Sequence, residues 1–343
     1  MKFSFKNILF YVVFIISIVL IYGVYDYILN GRIVESFEQK YDDEHLLEFY
    51  KKYDIKINKE NNTLMKNDKV VNYKNMNPRM SVIFSKNKAN VSELLYESKM
   101  PVCKMMKWDN SLSNVKNIKS ISNELKFPLI IKPVTGVKGN SVFTDIYDNS
   151  SLVKGIKILR SFKGEFNLMI EEQEFGDKFR ILVLNQQVIA VRKESCPIIT
   201  GNGRSNIAKL IQSYHILNDT KPIVHINEDL ILQQGYSVED VLEKGKQIKV
   251  TNIISVDNGS KDEFLDIKTV NGVNLKMFSI ISKLLKLNIC DIDYVTKNIN
   301  IPYTISGKVI DINNEPIIDK NLMSHKENTD RFANALFSEK RFN

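Results

Sequence analysis

The stretch FPLIIKPVTGVKGNSV, Phe127 to Val142, constrains the fold more than any other part of the chain. Its apolar run, Pro128 to Ile131, suits a buried strand. The run ends in Lys132, and a loop carrying Gly136 and Gly139 follows at once. An unpaired ammonium in a buried strand is costly, so a negative group is expected opposite Lys132. A plain hairpin turn with an exposed lysine would also satisfy this pattern. The two readings separate only on what the rest of the chain supplies.

The surrounding pattern is mixed α/β. Ile33 to Tyr53 carries apolar residues at helical spacing, and the segment from Asp54 loses that period in favour of short strands and polar turns. Asn90, with Glu93 three residues on, offers an N-cap for the helix VSELLYES. A second helix is expected from Leu112 to Leu125, ended by Pro128 before the strand LIIK. A strand (VFTDI), a helix from Leu152 to Leu159 and a strand (NLMIEE) come next. FRILVL and VIAVRK then form a hairpin turning at Asn185-Gln186-Gln187. A helix with Leu275, Phe278, Ile281 and Leu285 precedes the last two strands, ICDIDYV and GKVIDIN. There is no internal repeat.

Ile8 to Tyr25 is an uncharged run that as a helix would reach roughly 27 Å, close to a bilayer core. Tyr11, Tyr22 and Tyr25 lie towards its ends, where interfacial rings are favoured. A cleaved signal peptide is the rival reading, but no small-x-small cleavage site follows. The expectation is a single-pass membrane anchor.

Composition removes several function classes. The net charge of +8 comes from lysines scattered along the chain, with no basic cluster interleaved with aromatics, so nucleic acid is not an expected partner. Cys103, Cys196 and Cys290 are far apart and odd in number, which fits reduced thiols rather than a disulfide frame. His45, His215, His225 and His325 have no zinc-like spacing with them.

The glycine loop then gains a use. Glycines let backbone N–H groups approach an anion and form a concave cradle. Beside a strand lysine, such a loop suits a nucleoside triphosphate, with a flexible cover above the phosphates and a fixed cation beneath. It is neither the P-loop pattern nor the dinucleotide fingerprint. The last two strands add oxygen ligands. Residues two apart in a strand share a face, so Asp291 and Asp293 point together, as do Asp311 and Asn313, while Ile310 and Ile312 point into a core. Two such strands side by side make a hard-cation site of the sort Mg²⁺ takes with substrate phosphates. Asp311-Ile312-Asn313 could equally be a solvent-facing strand edge before the turn at Asn314-Glu315-Pro316.

Taken in order, KFPLIIKPVTGVKGNSV, MIEEQEFGDKFRILVLNQQVIAVRK, PIITGNGRSNIAKLI, NICDIDYV and GKVIDINNEP resemble the ATP-grasp superfamily. The motif order is most similar to the ATP-grasp module of cyanophycin synthetases and fused glutathione synthetases, and the likeness runs from about Ser85 to about His325. The resemblance implies an ATP-grasp fold with two α+β lobes gripping nucleotide, over residues 85–330. A small lobe over 30–84, the anchor over 1–29 and a tail over 331–343 complete the expected organisation.

By position, the resemblance assigns Lys132 to the α and β phosphates, Lys88 to a further phosphate-facing cation, and Gly136 and Gly139 to the loop over the nucleotide. Ile170 to Gln173 becomes the hinge strand reading adenine, with Glu171 the matched acid and Gln173 its end. Arg180 matches the arginine facing the reacting carboxylate. Asp293, Asp311 and Asn313 match the Mg²⁺ (or Mn²⁺) ligands. Several positions depart from the pattern. Lys178 stands where an acid is usual, Glu194 where an arginine is usual, and Thr251 where another arginine is usual. Asp311 stands for a glutamate, Ser141 for the third loop glycine, and Ile317 for the glycine that usually closes the last motif.

The implied activity is ATP- and Mg²⁺-dependent joining of a small-molecule or peptide carboxylate to an amine through an acyl phosphate. A homo-oligomer is compatible with it. The body would face the cytosol, where ATP is available. The alternative is a degenerate grasp protein that binds nucleotide or a partner without ligation.

Overall fold

The computed structural model describes residues 44–135, 142–163, 167–224, 226–254 and 258–342. These form two compact units. One comprises the described residues up to Met76 together with Ile317–Phe337, and the other comprises Asn77–Pro316 and the residues from Ser338 on.

Among the described residues the first unit opens with α1 (Glu44–Lys52), within the stretch of helical spacing from Ile33 to Tyr53. Strands β1 (Lys56–Asn58), β2 (Thr63–Lys66) and β3 (Lys69–Asn72) follow as an antiparallel meander.

The second unit begins with α2 (Arg79–Ser85) and α3 (Lys88–Glu97). The cap of α3 is a correction to the sequence reading. Asn87, not Asn90, caps the helix, its side chain accepting the Asn90 N–H. The helix therefore starts earlier and takes Lys88 into its first turn.

A four-stranded sheet comes next, built from β4 (Met105–Lys107), β5 (Leu129–Pro133), β6 (Phe143–Ile146) and β7 (Leu168–Glu172), in the order β4-β7-β5-β6. Helices α4 (Asn114–Glu124) and α5 (Asn149–Lys163) belong to the same layer. Ile121 and Leu125 meet Leu129, Ile131, Leu152, Ile156 and Ile170 in its core. Val115, near the start of α4, is 75% exposed.

A five-stranded antiparallel sheet then forms from β8 (Asp177–Leu184) and β9 (Gln187–Ser195), later joined by three more strands. The hairpin turn is shorter than expected. Asn185 and Gln186 alone make it, at φ 46° and 63°, and a bulge between Leu182 and Val183 follows. Both φ values are positive, the requirement of a tight turn matched to strand twist.

Residues after β9 form a small module with its own core of Ile199, Ile207, Leu210, Ile211, Ile231 and Ile248. It holds β10 (Ile198–Thr200), α6 (Ile207–Asn218), α7 (Glu228–Gln233) and β11 (Gln247–Lys249). Gly201 begins the Gly-Asn-Gly turn, and a Cβ there would lie 2.1 Å from the Glu243 carbonyl oxygen. The close approach requires glycine.

The chain returns to the large sheet through β12 (Lys261–Leu265), α8 (Gly272–Leu284), β13 (Ile289–Thr296) and β14 (Lys308–Asn313). The order is β12-β9-β8-β13-β14, so β14 is an edge. Phe278 and Ile281 of α8 pack on this sheet with Ile181, Val183, Ile292 and Tyr294. Finally α9 (Lys320–Ser324) and α10 (Lys326–Leu336) rejoin the first unit, where Phe332 meets Phe49 edge to face at 5.7 Å.

The expected localisation needs correction. The proposed anchor at residues 8–25 lies outside the described residues. Among the described residues no helix is long and apolar enough to cross a membrane. The 15-residue helix α5 reaches only about 22 Å and carries Lys154, Lys157, Arg160 and Lys163. The reading of a single-pass membrane protein with its body facing the cytosol is therefore withdrawn.

Candidate functional site

The negative group expected opposite Lys132 is Glu171. The two lie on adjacent strands, β5 and β7, and their charged atoms are 2.6 Å apart. Lys132 is 7% exposed and Glu171 4%. Burial alone would lower the Lys132 pKa, but the carboxylates of Glu171 and Asp311 outweigh it and the net direction is up. The lysine is held as a cation.

Lys132 also reaches the other sheet. Its ammonium donates to the Ile310 carbonyl of β14 at 3.0 Å. Beside it, Lys88 spans the same junction. Its backbone N–H donates to Val134 O at 2.9 Å, and its side chain forms an ion pair with Asp311. A small cleft open to solvent is lined here by Lys88, Lys132, Glu171 and Asp311 among others. Four residues singled out from sequence thus meet where the edge strand β14 of the large sheet comes close to the inner strands β5 and β7 of the other.

The second cluster runs across the large sheet. Asp311 of β14 lies opposite Asp293 of β13, which lies opposite Arg180 of β8, which lies opposite Arg192 of β9. Asn313 lies opposite Asp291. Arg180 grips Asp293 with both ends of its guanidinium, Nε to Oδ1 at 3.0 Å and Nη2 to Oδ2 at 3.4 Å.

Lys178 enters the same cluster, 2.9 Å from Asp293 Oδ2 and 2.9 Å from Glu194 Oε2. Glu194 also faces Arg180 at 3.1 Å. Two departures from the resembled pattern, positions 178 and 194, are therefore partners across one hairpin. Burial opposes charge on Asp293, yet Arg180 and Lys178 hold its carboxyl far below the usual carboxylate range. Asp293 in turn raises the Arg180 guanidinium still higher.

Gln173 is engaged elsewhere. Its side chain accepts from the Asp145 N–H at 2.7 Å and donates to Asp145 Oδ1 at 3.0 Å. Asn252, just after the departure at Thr251, donates to Asp145 Oδ2 at 2.9 Å. The N–H groups of Glu172 and Gln173 are taken by the carbonyls of Lys104 and Pro128. Gly136 and Gly139 lie outside the described residues. Sequence reasoning missed Asp145 altogether. Its φ of 60° in a non-glycine strand residue carries no sequence signal.

Asp291 is 3% exposed, and burial pushes its carboxyl up to about 6, against the lowering pull of Arg180 and Arg192. A carboxyl whose folded pKa exceeds its unfolded value stabilises the fold fully below the unfolded value, near pH 4. That contribution is lost as pH rises through 6. Asp291→Asn is therefore expected to gain about 2 kcal/mol relative to the unmodified chain between pH 4 and pH 8. Urea unfolding at both pH values checks it, and an equal difference at the two would refute the assignment.

The residues fit a divalent cation in part. Asp311 and Asn313 sit on the edge strand β14, Asp311 paired with Lys88 and the exposed Asn313 accepting the Glu315 N–H at 3.0 Å, so their oxygens keep spare lone pairs for a cation. Asp293 already has two cationic neighbours on its oxygens. Among the described residues no group of three or more His, Cys, Asp or Glu side chains could hold a metal by itself.

Comparison with known proteins agrees with this architecture. No family model matches the chain. It is 25% identical over 203 residues to a cyanophycin synthetase of Geminocystis herdmanii, covering 55% of this chain and 23% of that one. It is 24% identical over 234 residues to a bifunctional glutathione biosynthesis protein of Clostridium perfringens, covering 64% and 29%. The crystal structure of a bifunctional glutathione synthetase from Pasteurella multocida superposes with a TM-score of 0.52 at 17% identity, over 82% of this chain and 41% of that one. The chain thus spans less than a third of the length of the curated relatives it matches.

Proposed function

We infer that this chain, a member of the ATP-grasp superfamily, binds ATP between its four- and five-stranded sheets and joins a carboxylate to an amine. The observation that carries the reading is the junction of Lys132, Glu171, Lys88 and Asp311, where charged groups from both sheets converge on one cleft.

Each residue has a task in such a reaction. Lys132, fixed from below by Glu171, holds positive charge against the α and β phosphates. Lys88 leaves Asp311 and turns to a phosphate oxygen. Arg180 neutralises the substrate carboxylate as it attacks the γ-phosphorus. ADP leaves and an acyl phosphate forms. The amine then attacks the acyl carbon, phosphate departs and an amide remains. Placement and charge neutralisation account for most of such catalysis, so no nucleophilic side chain is required. Asp311 and Asn313 would hold a divalent cation, which when bound offsets phosphate charge.

A second reading rests on the cluster around Lys178. With Asp293 enclosed by Lys178 and Arg180, the chain would bind nucleotide without ligating.

Calorimetry tests the first step. ATP with Mg²⁺ is expected to bind in the micromolar range, about −8 kcal/mol. Binding is expected to be lost in the paired variant Asp311→Ala/Asn313→Ala. Absence of binding to the folded chain would end both readings. Binding without ADP release across a panel of carboxylates and amines would favour the second.

A further inference from the structure

We propose that Lys178 is a resident cation at Asp293, so that the chain takes its nucleoside triphosphate with one divalent cation at Asp311 and Asn313 and none at Asp293, although the resemblance counts all three as ligands. This rests on the nucleotide reading above. It concerns which charges meet the phosphates, not whether they bind.

Asp293 and Asp311 are opposite neighbours on β13 and β14, yet they are enclosed in different ways. Asp293 Oδ2 has the Lys178 ammonium at 2.9 Å, and Oδ1 has the Arg180 Nε at 3.0 Å. Lys178 cannot simply swing aside. It is 8% exposed, its ammonium is also 2.9 Å from Glu194, and it lies 3.4 Å from the Ile254 carbonyl. Moving it would strip a buried carboxylate of one of its two cations. Mg²⁺ binds oxygen at about 2.1 Å and gives up its water reluctantly. An ion so placed on Asp293 would face an ammonium and a guanidinium at close range.

Asp311 is the opposite case. Its partner Lys88 has a side chain 20% exposed, and Asp311 itself is 35% exposed. That pair can open towards solvent or a phosphate. Asn313 is exposed two residues along the same edge strand. A cation that keeps several waters and borrows phosphate oxygens needs few protein ligands. These two side chains supply them. Lys178 then provides, without a metal, the positive charge that a second ion would have brought to Asp293.

The test counts metal. The full chain is saturated with the non-hydrolysable analogue adenylyl imidodiphosphate, and bound Mn²⁺ is measured by electron paramagnetic resonance. One Mn²⁺ per bound nucleotide is expected. In Lys178→Met/Glu194→Met, which removes the buried pair together, a second Mn²⁺ is expected. Asp311→Asn should weaken Mn²⁺ binding at least about tenfold, and Asp293→Asn by less than about threefold. Two Mn²⁺ per nucleotide in the unmodified chain would overturn the proposal and leave the nucleotide reading standing. A single Mn²⁺ in the folded double variant would remove Lys178 as the cause. Failure of the analogue to bind, with or without Mn²⁺, would overturn both. If the double variant does not fold, the count in the unmodified chain decides.

Discussion

Lys132→Met is expected to lower ATP affinity by about 100-fold or more and to destabilise its unit by about 3–5 kcal/mol. The two losses have different causes and can be separated. Affinity falls because the fixed cation under the phosphates is gone. Stability falls because Glu171, 4% exposed, is left buried without its partner at 2.6 Å. Removing both charges relieves the second loss and not the first. Lys132→Met/Glu171→Leu should recover most of the stability, since a buried ion pair replaced by apolar groups is often close to neutral. It should still fail to bind. Urea unfolding and calorimetry on the three proteins read both quantities. Recovery of binding in the double variant would show that Lys132 only holds the fold.

The second large effect is expected at Lys178→Glu. The substitution would bring three carboxylates together at positions 178, 194 and 293, with Arg180 alone to offset them. A loss on the order of 4 kcal/mol is expected. The exchanged pair Lys178→Glu/Glu194→Lys restores one cation and one anion across the hairpin and should recover at least half of it. Thermal unfolding of the single variants and the exchanged pair closes a double-mutant cycle. Additive losses would mean that the two positions act independently, contrary to their 2.9 Å separation.

That pair also shows how far the site was legible in the sequence. The acids of the last two strands were readable because a period of two leaves no choice of face once a strand is assigned. Asp293 opposite Asp311 follows from that and from one register. The partner of Lys132 was required by the cost of a buried charge, though nothing local said it would be Glu171, a diagonal neighbour on β7. Lys178 and Glu194 looked like two separate losses. They are one contact, and the register of the hairpin makes it. The two-residue turn at Asn185-Gln186 starts the ladder one residue short, and the bulge after Leu182 restores it. Beyond the bulge the pairing is the one a three-residue turn gives, so counting out from the expected turn would have placed 178 against 194. The early start of α3 was missed for a smaller reason. Asn87 and Asn90 are both capping residues, and only the hydrogen bond between them decides. Asp145 was out of reach, since its role depends on a backbone conformation and on contacts from two distant segments.

The pairing of Lys88 with Asp311 has a consequence for how any ligand enters. At rest, the cation and the anion at the junction satisfy each other, so the cleft resembles an internal salt rather than a set of open charges. A free phosphate competes with Asp311 for Lys88 and leaves the carboxylate stranded. A free metal ion competes with Lys88 for Asp311 and leaves the ammonium stranded. A metal–nucleotide chelate carries both partners and trades with both ends in one exchange. Under the proposed function, the resting ion pair would act as a coincidence gate that discriminates against either component alone.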